Sequence, residues 1–278
     1  MPVRIVQSKQ NARLKELRRA LAQPGREARG LAGIEGPHLL DEALRAGLRI
    51  TAVFLAQEAH DPLKGLELPA ELDVLMVPQA ILNPALATET PQPVAALVEV
   101  PDWTWAHVLR GRGAWPPLVV VLAGLQDPGN VGTILRSAEA FGATGVVALP
   151  GTASAWNPKA VRASAGSVFR LPQIAVSVDE CFATLREAGA RVLATSSHAA
   201  EPSDMVSMTG AVALVIGNEG NGVPPRVAAR ADERITVCCP GPVESLNAAV
   251  AASVLLYEAS RQRSEQNSGA GALRGCAR

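Results

Sequence analysis

Aromatic residues are nearly missing from this chain: Phe, Trp and Tyr supply 3% of its 278 residues, while hydrophobic residues supply 48%. A core of that make-up is built from Ala, Val and Leu, the aliphatic bias of α/β proteins whose parallel strands are buried on both faces. Net charge is missing too, with 26 basic residues against 26 acidic ones. That excludes a generic polyanion binder and leaves only local patches to meet nucleic acid. Cysteine is sparse, and Cys181, Cys238, Cys239 and Cys276 lack any C-x-x-C spacing, so neither a zinc site nor a disulfide framework is expected. The adjacent Cys238 and Cys239 are expected to point to opposite faces of a strand. There is no run of about 18 apolar residues and no apolar segment in MPVRIVQSKQNARLKEL, so neither a membrane span nor a signal peptide is expected and the default is a cytoplasmic protein.

What is present divides into two parts, as the length suggests. Residues 1–29 carry a local charge of +6. In SKQNARLKELRRALAQPG, Asn11 is a candidate N-cap, and Leu14, Leu17 and Leu21 share one face of a basic amphipathic helix. The remainder of residues 1–100 alternates strands and helices: a strand before Gly36, a helix over about 37–46, a strand over 50–55, then VLMVP, ILNPALA and VAALVEV. PDWTWAHVLRGRGAWPP mixes Pro, Gly, Trp and Arg without a period and reads as a linker over 101–116. From 117 to 262, apolar strands separated by helices predict a parallel sheet covered on both sides. Residues 263–278 read as a disordered tail.

Ligands of open parallel sheets bind outside the carboxyl ends of the strands, and three loops of the second part suit that place. LQDPGNVGTILRSAEAFGATG opens a helix that Asn130 can cap, with Val131, Ile134, Leu135, Ala138 and Phe141 on one stripe and Arg136 and Glu139 opposite as an i, i+3 pair. GNEGNGVP places three glycines around Glu219, which permits positive φ and close backbone approach. It lacks the Lys-Ser/Thr of a phosphate loop and the G-x-G-x-x-G of a dinucleotide fold. VCCPGPVESLN fixes an irregular backbone ahead of a helix, with Ser245 a candidate N-cap and Asn247 in the first turn.

Together, DPGNVGTILRSAEAFG, LVIGNEGNGV and PGPVESLNAAVAASVLLYE resemble the three motifs of the SpoU (TrmH) family of RNA ribose 2′-O-methyltransferases, over about residues 118–260. NARLK, GIEGPHLLDEAL and VAALVEV resemble the RNA substrate-binding domain fused ahead of that catalytic domain, itself similar to ribosomal RNA-binding proteins. The resemblance implies an α/β fold: a C-terminal SPOUT-type parallel sheet with a deep trefoil knot, plus a small N-terminal α/β domain. It implies a homodimer, S-adenosylmethionine as cofactor, no metal, and ribosomal RNA as the favoured substrate. It assigns catalysis to Asn130, Arg136, Glu139, Glu219, Ser245 and Asn247, and cofactor contact to Thr195 and to backbone at Gly217, Val237 and Leu246. Cys238 departs from the pattern, since the family has proline there.

Three other readings differ in what they require. A tRNA 2′-O-methyltransferase shares every motif. A non-catalytic RNA-binding protein of the same fold would lack polar residues that are all in place here. A nucleotide-dependent α/β enzyme using GNEGNG for phosphate needs a lysine and metal ligands that the loop does not offer.

Overall fold

The computed structural model describes residues 3–24, 30–86, 88–113, 115–197, 201–218, 220–242 and 245–269. Its chain forms two compact units, one of Met1–Asp102 with Ser154–Arg170, the other of Trp103–Ala153 with Leu171–Arg278.

In the first unit the elements are β1 (Val3–Ile5), α1 (Ala12–Ala22), β2 (Leu31–Glu35), α2 (Pro37–Arg45), β3 (Ile50–Ala56), β4 (Val74–Val77), α3 (Gln79–Leu82) and β5 (Val94–Glu99). The described sheet has the order β1-β4-β3-β5-β2, and β5 runs antiparallel to both β2 and β3. The Asn11 side chain accepts from the backbone N–H of Arg13 and Leu14, capping α1 as its position suggests. Leu14, Leu17 and Leu21 are buried as one face. The basic patch is partly neutralised: Arg4 and Arg13 both reach Asp73, and Arg13 also holds Glu16 at 2.7 Å. Lys9, Lys15 and Arg19 remain exposed, while Arg26, Glu27 and Arg29 lie outside the described residues. Strand β1 is not evident from the sequence, because three residues at a sheet edge with every side chain exposed carry no alternation.

The second unit opens with α4 (Trp105–Val108) in the stretch that reads as a linker. Thr104 and His107 form a capping box, Val108 is fully buried, and Trp105 Nε1 donates to Glu180 at 3.0 Å. This segment packs on its own unit, because two apolar side chains outweigh the surrounding turn residues. The remaining elements are β6 (Leu118–Ala123), α5 (Pro128–Ala140), β7 (Gly145–Ala148), α6 (Pro158–Ser164, in the segment that groups with the first unit), β8 (Gln173–Ala175), α7 (Val178–Glu187), β9 (Arg191–Thr195), β10 (Glu201–Pro202), β11 (Val212–Gly217), α8 (Pro225–Ala228), β12 (Glu233–Thr236) and α9 (Ala248–Gly269). The described strands align in the order β10-β12-β9-β11-β6-β7-β8, every pairing parallel. The middle strand β11 and its neighbour β6 are buried at every residue, as the unbroken Val/Leu/Ile runs require.

Two boundaries differ from the sequence expectation. Strand β12 stops at Thr236, so Cys238 and Cys239 stand in the following loop and not on alternate faces of a strand. Helix α9 continues through Gly269, and the expected disordered tail therefore begins too early. Arg263, placed in that tail by composition, is 2% exposed, because its guanidinium satisfies buried carbonyls that no polar-content rule can foresee. Residues 270–278 lie outside the described residues.

A carboxylate network holds α9 to the segment before β11. Glu258 accepts from Arg261 Nε at 2.8 Å and Nη2 at 2.7 Å, and from Gln262 Nε2 at 2.8 Å. Gln262 in turn accepts from the Met208 N–H at 2.7 Å and donates to the Val206 carbonyl at 3.1 Å. The bond from Arg261 holds the Glu258 carboxyl below the usual carboxylate range. Its stabilising contribution is complete above the unfolded value of about 4.3 and is lost as pH falls through the lower folded value. Urea midpoints measured from about pH 5 to about pH 3 are expected to fall more steeply in the wild type than in Glu258→Gln, which lacks the titrating group.

Candidate functional site

The carboxyl ends of β6, β9, β11 and β12 lie level, with Gly217 beside Ala123 and Ile235 beside Thr195 in the strand register. Beyond β9, β11 and β12 opens a cavity of about 870 Å³ walled by the strand ends, the loops after β11 and β12, and the start of α9. Thr195, Gly217, Val237 and Leu246, the four expected cofactor contacts, all line it, and so does Ser245.

Hydrogen bonds tie the three loops together. Asn218 Nδ2 donates to the Gly124 carbonyl at 3.1 Å, joining the loop after β11 to the loop after β6. Asn218 Oδ1 accepts from the N–H of Gly220 and Asn221 at 2.9 and 3.3 Å, and Asn218 and Gly222 exchange backbone bonds of 2.9 Å each way. This turn closes directly over Gly217: a Cβ there would stand 2.1 Å from the Gly222 carbonyl carbon, so the position accepts only glycine. Gly217 therefore admits its own loop, where the sequence suggested approach of a ligand. Of the three glycines around Glu219, only Gly222 has positive φ, at +64°. Glu219 itself lies outside the described residues.

The loops after β6 and β12 meet through Asn247 Nδ2, which donates to Asn130 Oδ1 at 3.2 Å. Neither helix is capped as expected. Asp127, one residue before Pro128, caps α5 by accepting from the Gly129 N–H at 3.1 Å, and Asn130 stands in the first turn, where its Oδ1 accepts from α9's Asn247. Asn247 caps α9, accepting from the N–H of Ala249 and Val250 at 2.9 and 3.3 Å. Ser245 stands two residues too early to cap, and its exposed hydroxyl remains at the cavity wall.

Arg136 is exposed on α5 and makes no ion pair or side-chain hydrogen bond among the described residues. The expected pairing with Glu139 does not form; Glu139 is half-buried on the same helix. Neither residue lines the cavity, and neither do Asn130 and Asn247. The sequence-derived site thus separates into a cavity set and a rim set, joined in the chain at Leu246–Asn247.

Two participants escaped the sequence reading. Asn218 positions the loop after β11, and the signal for it is the local turn chemistry of Asn followed by Gly. Arg234 is the one charged side chain among the described residues lining the cavity; it occupies an exposed position of β12 next to buried Ile235. Thr195 Oγ1 donates to the Val215 carbonyl at 3.0 Å, so toward a ligand its hydroxyl can only accept. Among the described residues, no group of three or more His, Cys, Asp or Glu is placed to hold a metal ion, and no helix is long and apolar enough to cross a membrane.

The chain is similar to known proteins along most of its length. A family model for SpoU rRNA methylases matches residues 117–257, and one for the MRM3-like substrate-binding domain matches residues 11–96. The chain is 30% identical over 252 residues to the 23S rRNA (guanosine(2553)-2′-O)-methyltransferase RlmP of Bacillus subtilis, covering 91% of this chain and 97% of that one. Among solved structures, the SpoU methyltransferase AviRb of Streptomyces viridochromogenes, in complex with AdoMet, superposes with a TM-score of 0.81 at 29% identity, over 91% of this chain and 98% of that one. An AdoMet-bound rRNA methyltransferase of Sinorhizobium meliloti gives 0.79 at 28% identity, over 93% and 98%. The matched span contains the cavity, the hydrogen bonds that tie its loops and the Asn130–Asn247 pair, and the chain belongs to the SpoU rRNA methylase family.

Proposed function

We propose that this protein transfers the methyl group of S-adenosylmethionine to a ribose 2′-hydroxyl of ribosomal RNA, with 23S RNA favoured. The observation that carries this reading is one cavity at the strand ends, lined by Thr195, Gly217, Val237, Ser245 and Leu246, whose loops are tied to the loop after β6 and to α5 by Asn218–Gly124 and Asn130–Asn247. The cavity suits the cofactor. Its volume lies in the range of about 300–1,000 Å³ that small-molecule sites occupy, and its lining offers backbone groups, hydroxyls and a single cation. A triphosphate would need more positive charge than Arg234 alone provides, whereas one guanidinium complements one carboxylate, such as that of a methionine arm.

The cofactor supplies an activated methyl on a positively charged sulfur. The chain must bring a 2′-hydroxyl into line with it and ease loss of the hydroxyl proton. The Arg136 guanidinium offers N–H donors in a planar fork and has no acceptor with which to take a proton. We assign it to hold the RNA backbone and stabilise the developing alkoxide. Asn130 and Asn247, each held by the other, orient the ribose, and Ser245 stands between them and the cofactor. Glu139 and Glu219 complete the polar set of the family motifs.

Residues 1–100, with the exposed Lys9, Lys15 and Arg19, are read as the RNA substrate-binding domain, residues 101–116 as the connection and 117–262 as the catalytic domain. A deep trefoil knot fits the chain order: β12 lies beyond β9, and the chain then returns so that α9 packs on α5 and β11. A homodimer fits the outer face of α9, where Val250, Val254 and Tyr257 are 49%, 38% and 55% exposed on one side of the helix. The cytoplasm is the compartment where such a substrate is met.

The test is methyl transfer from labelled S-adenosylmethionine to ribosomal RNA, followed by digestion to nucleosides. Label on the ribose is expected. Label on a base would sink the 2′-O assignment, and calorimetry showing ATP binding without S-adenosylmethionine binding would sink the whole reading.

A further inference from the structure

A second cavity, of about 630 Å³, lies in the first unit between β1 and α1. Its wall is cationic. Arg4 comes from β1, and Arg13 and Arg19 come from α1 at positions that share one helix face, with Glu16 between them as the one carboxylate of the described lining. Arg4 directs Nε and Nη2 to Asp73, the first at 3.0 Å, and Arg13 Nη1 donates to Glu16 at 2.7 Å. These bonds fix two guanidiniums and still leave Arg4 Nη1 and Arg13 Nη2 without a partner among the described residues. Even with Asp73 counted, cations outnumber carboxylates here. Beside them stands an apolar surface: Ile5 of the same strand lines the cavity with 68% of its surface exposed. So exposed an isoleucine adds little to the core.

We propose that this cavity holds one unpaired nucleotide of the RNA substrate, its phosphate on Arg4 and Arg13 and its base against Ile5. The inference rests on reading residues 1–100 as the RNA substrate-binding domain, and adds which face of it meets RNA and in which form. The volume lies within the range of about 300–1,000 Å³ in which small ligands sit, enough for a single nucleotide. Phosphate oxygens are gripped best by N–H donors already held in place, and a guanidinium anchored by a carboxylate loses little freedom on binding them. A base can reach Ile5 only after leaving its stack, because paired bases in an RNA helix turn their faces to one another. Duplex RNA therefore offers this cavity phosphates alone, and an acidic peptide offers it carboxylates without a flat face for Ile5.

The experiment uses the full-length protein, as wild type and as Arg4→Ala, Ile5→Ser and the control Arg45→Ala. Arg45 is an exposed arginine of the same unit, likewise paired with a carboxylate, Asp41, but it stands outside the cavity. Binding of fluorescent oligouridylate is titrated at several salt concentrations, with a blunt RNA duplex of equal length and polyglutamate as competitors. Methyl transfer to deproteinised ribosomal RNA is measured on the same preparations. Arg4→Ala is expected to weaken oligouridylate binding about tenfold and to reduce the slope of log affinity against log salt by about 0.7, the share of one phosphate contact on a single strand. Ile5→Ser is expected to weaken binding about fivefold with that slope unchanged, since only apolar contact is removed. Both should raise KM for ribosomal RNA while kcat stays near wild type, and Arg45→Ala should move none of these by more than about twofold. Oligouridylate affinity that survives Arg4→Ala or Ile5→Ser, an equal loss in Arg45→Ala, or duplex or polyglutamate competing as well as oligouridylate itself overturns the proposal while leaving the methyltransferase reading intact. Wild-type protein that transfers no methyl to ribosomal RNA overturns that reading, whatever the oligouridylate titrations give.

Discussion

Arg136→Ala is expected to lose methyl transfer by at least about a hundredfold, the scale on which removal of one group that stabilises developing negative charge is felt, while S-adenosylmethionine affinity stays within a few fold of wild type. The separation follows from geometry. Arg136 is exposed, has no partner among the described residues that its loss would strand, and stands outside the cavity lined by Thr195, Gly217, Val237 and Leu246. Truncation therefore removes neither a cofactor contact nor a structural bond. Arg136→Lys keeps the charge but loses the planar fork that grips two oxygens at once, so a partial rescue that is weakest at low RNA concentration is expected. Initial rates with labelled cofactor, paired with calorimetry on the same preparations, distinguish these outcomes. Full activity in the alanine variant would refute the role, and a collapse of cofactor affinity would move Arg136 into the cavity set.

The parallel sheet was legible because runs such as Leu118–Ala123 and Val212–Gly217 have no polar interruption, which only strands buried on both faces tolerate. The shared cavity of Thr195, Gly217, Val237 and Leu246 was legible for a different reason: the family motifs place backbone positions, and backbone positions survive a change such as proline to Cys238. What the sequence concealed were choices between equivalent polar side chains. Asp127 and Asn130 can both cap α5, and Pro128 decides for Asp127, because proline suits the first helical position and fixes the cap one residue earlier. With Asp127 as the cap, Asn130 Oδ1 accepts from Asn247 Nδ2. The same exchange of duties takes the cap of α9 from Ser245 and gives it to Asn247, leaving the serine hydroxyl exposed at the cavity. The site is thus assembled by capping decisions that local pattern leaves undecided and that the packing of α5 on α9 resolves, with Ser137 Oγ and Ser253 Oγ 2.7 Å apart and the Phe141 and Tyr257 rings edge to face at 5.8 Å.

Arg263→Ala is expected to destabilise the second unit by about 3 kcal/mol or more, since each buried carbonyl left without a donor costs roughly 1–3 kcal/mol. Arg263 Nε donates to Met208 O at 3.0 Å, Nη1 to Pro116 O at 2.8 Å, and Nη2 to Pro117 O at 3.2 Å and Gly210 O at 2.6 Å. One fixed fork thus joins the far part of α9 to the entry of β6 and the entry of β11. Burial without a facing carboxylate lowers the pKa of this guanidinium, so the charge is tolerated only because four carbonyl dipoles surround it. Lysine has one nitrogen and three donors in place of the fork, so Arg263→Lys is expected to recover only part of the loss. Trp103, Trp105 and Trp115 lie in the second unit, and their fluorescence during urea unfolding reports its midpoint. An alanine variant within about 0.5 kcal/mol of wild type, the range of ordinary surface substitutions, would mean that water replaces the guanidinium and that α9 is held in place by its apolar face alone.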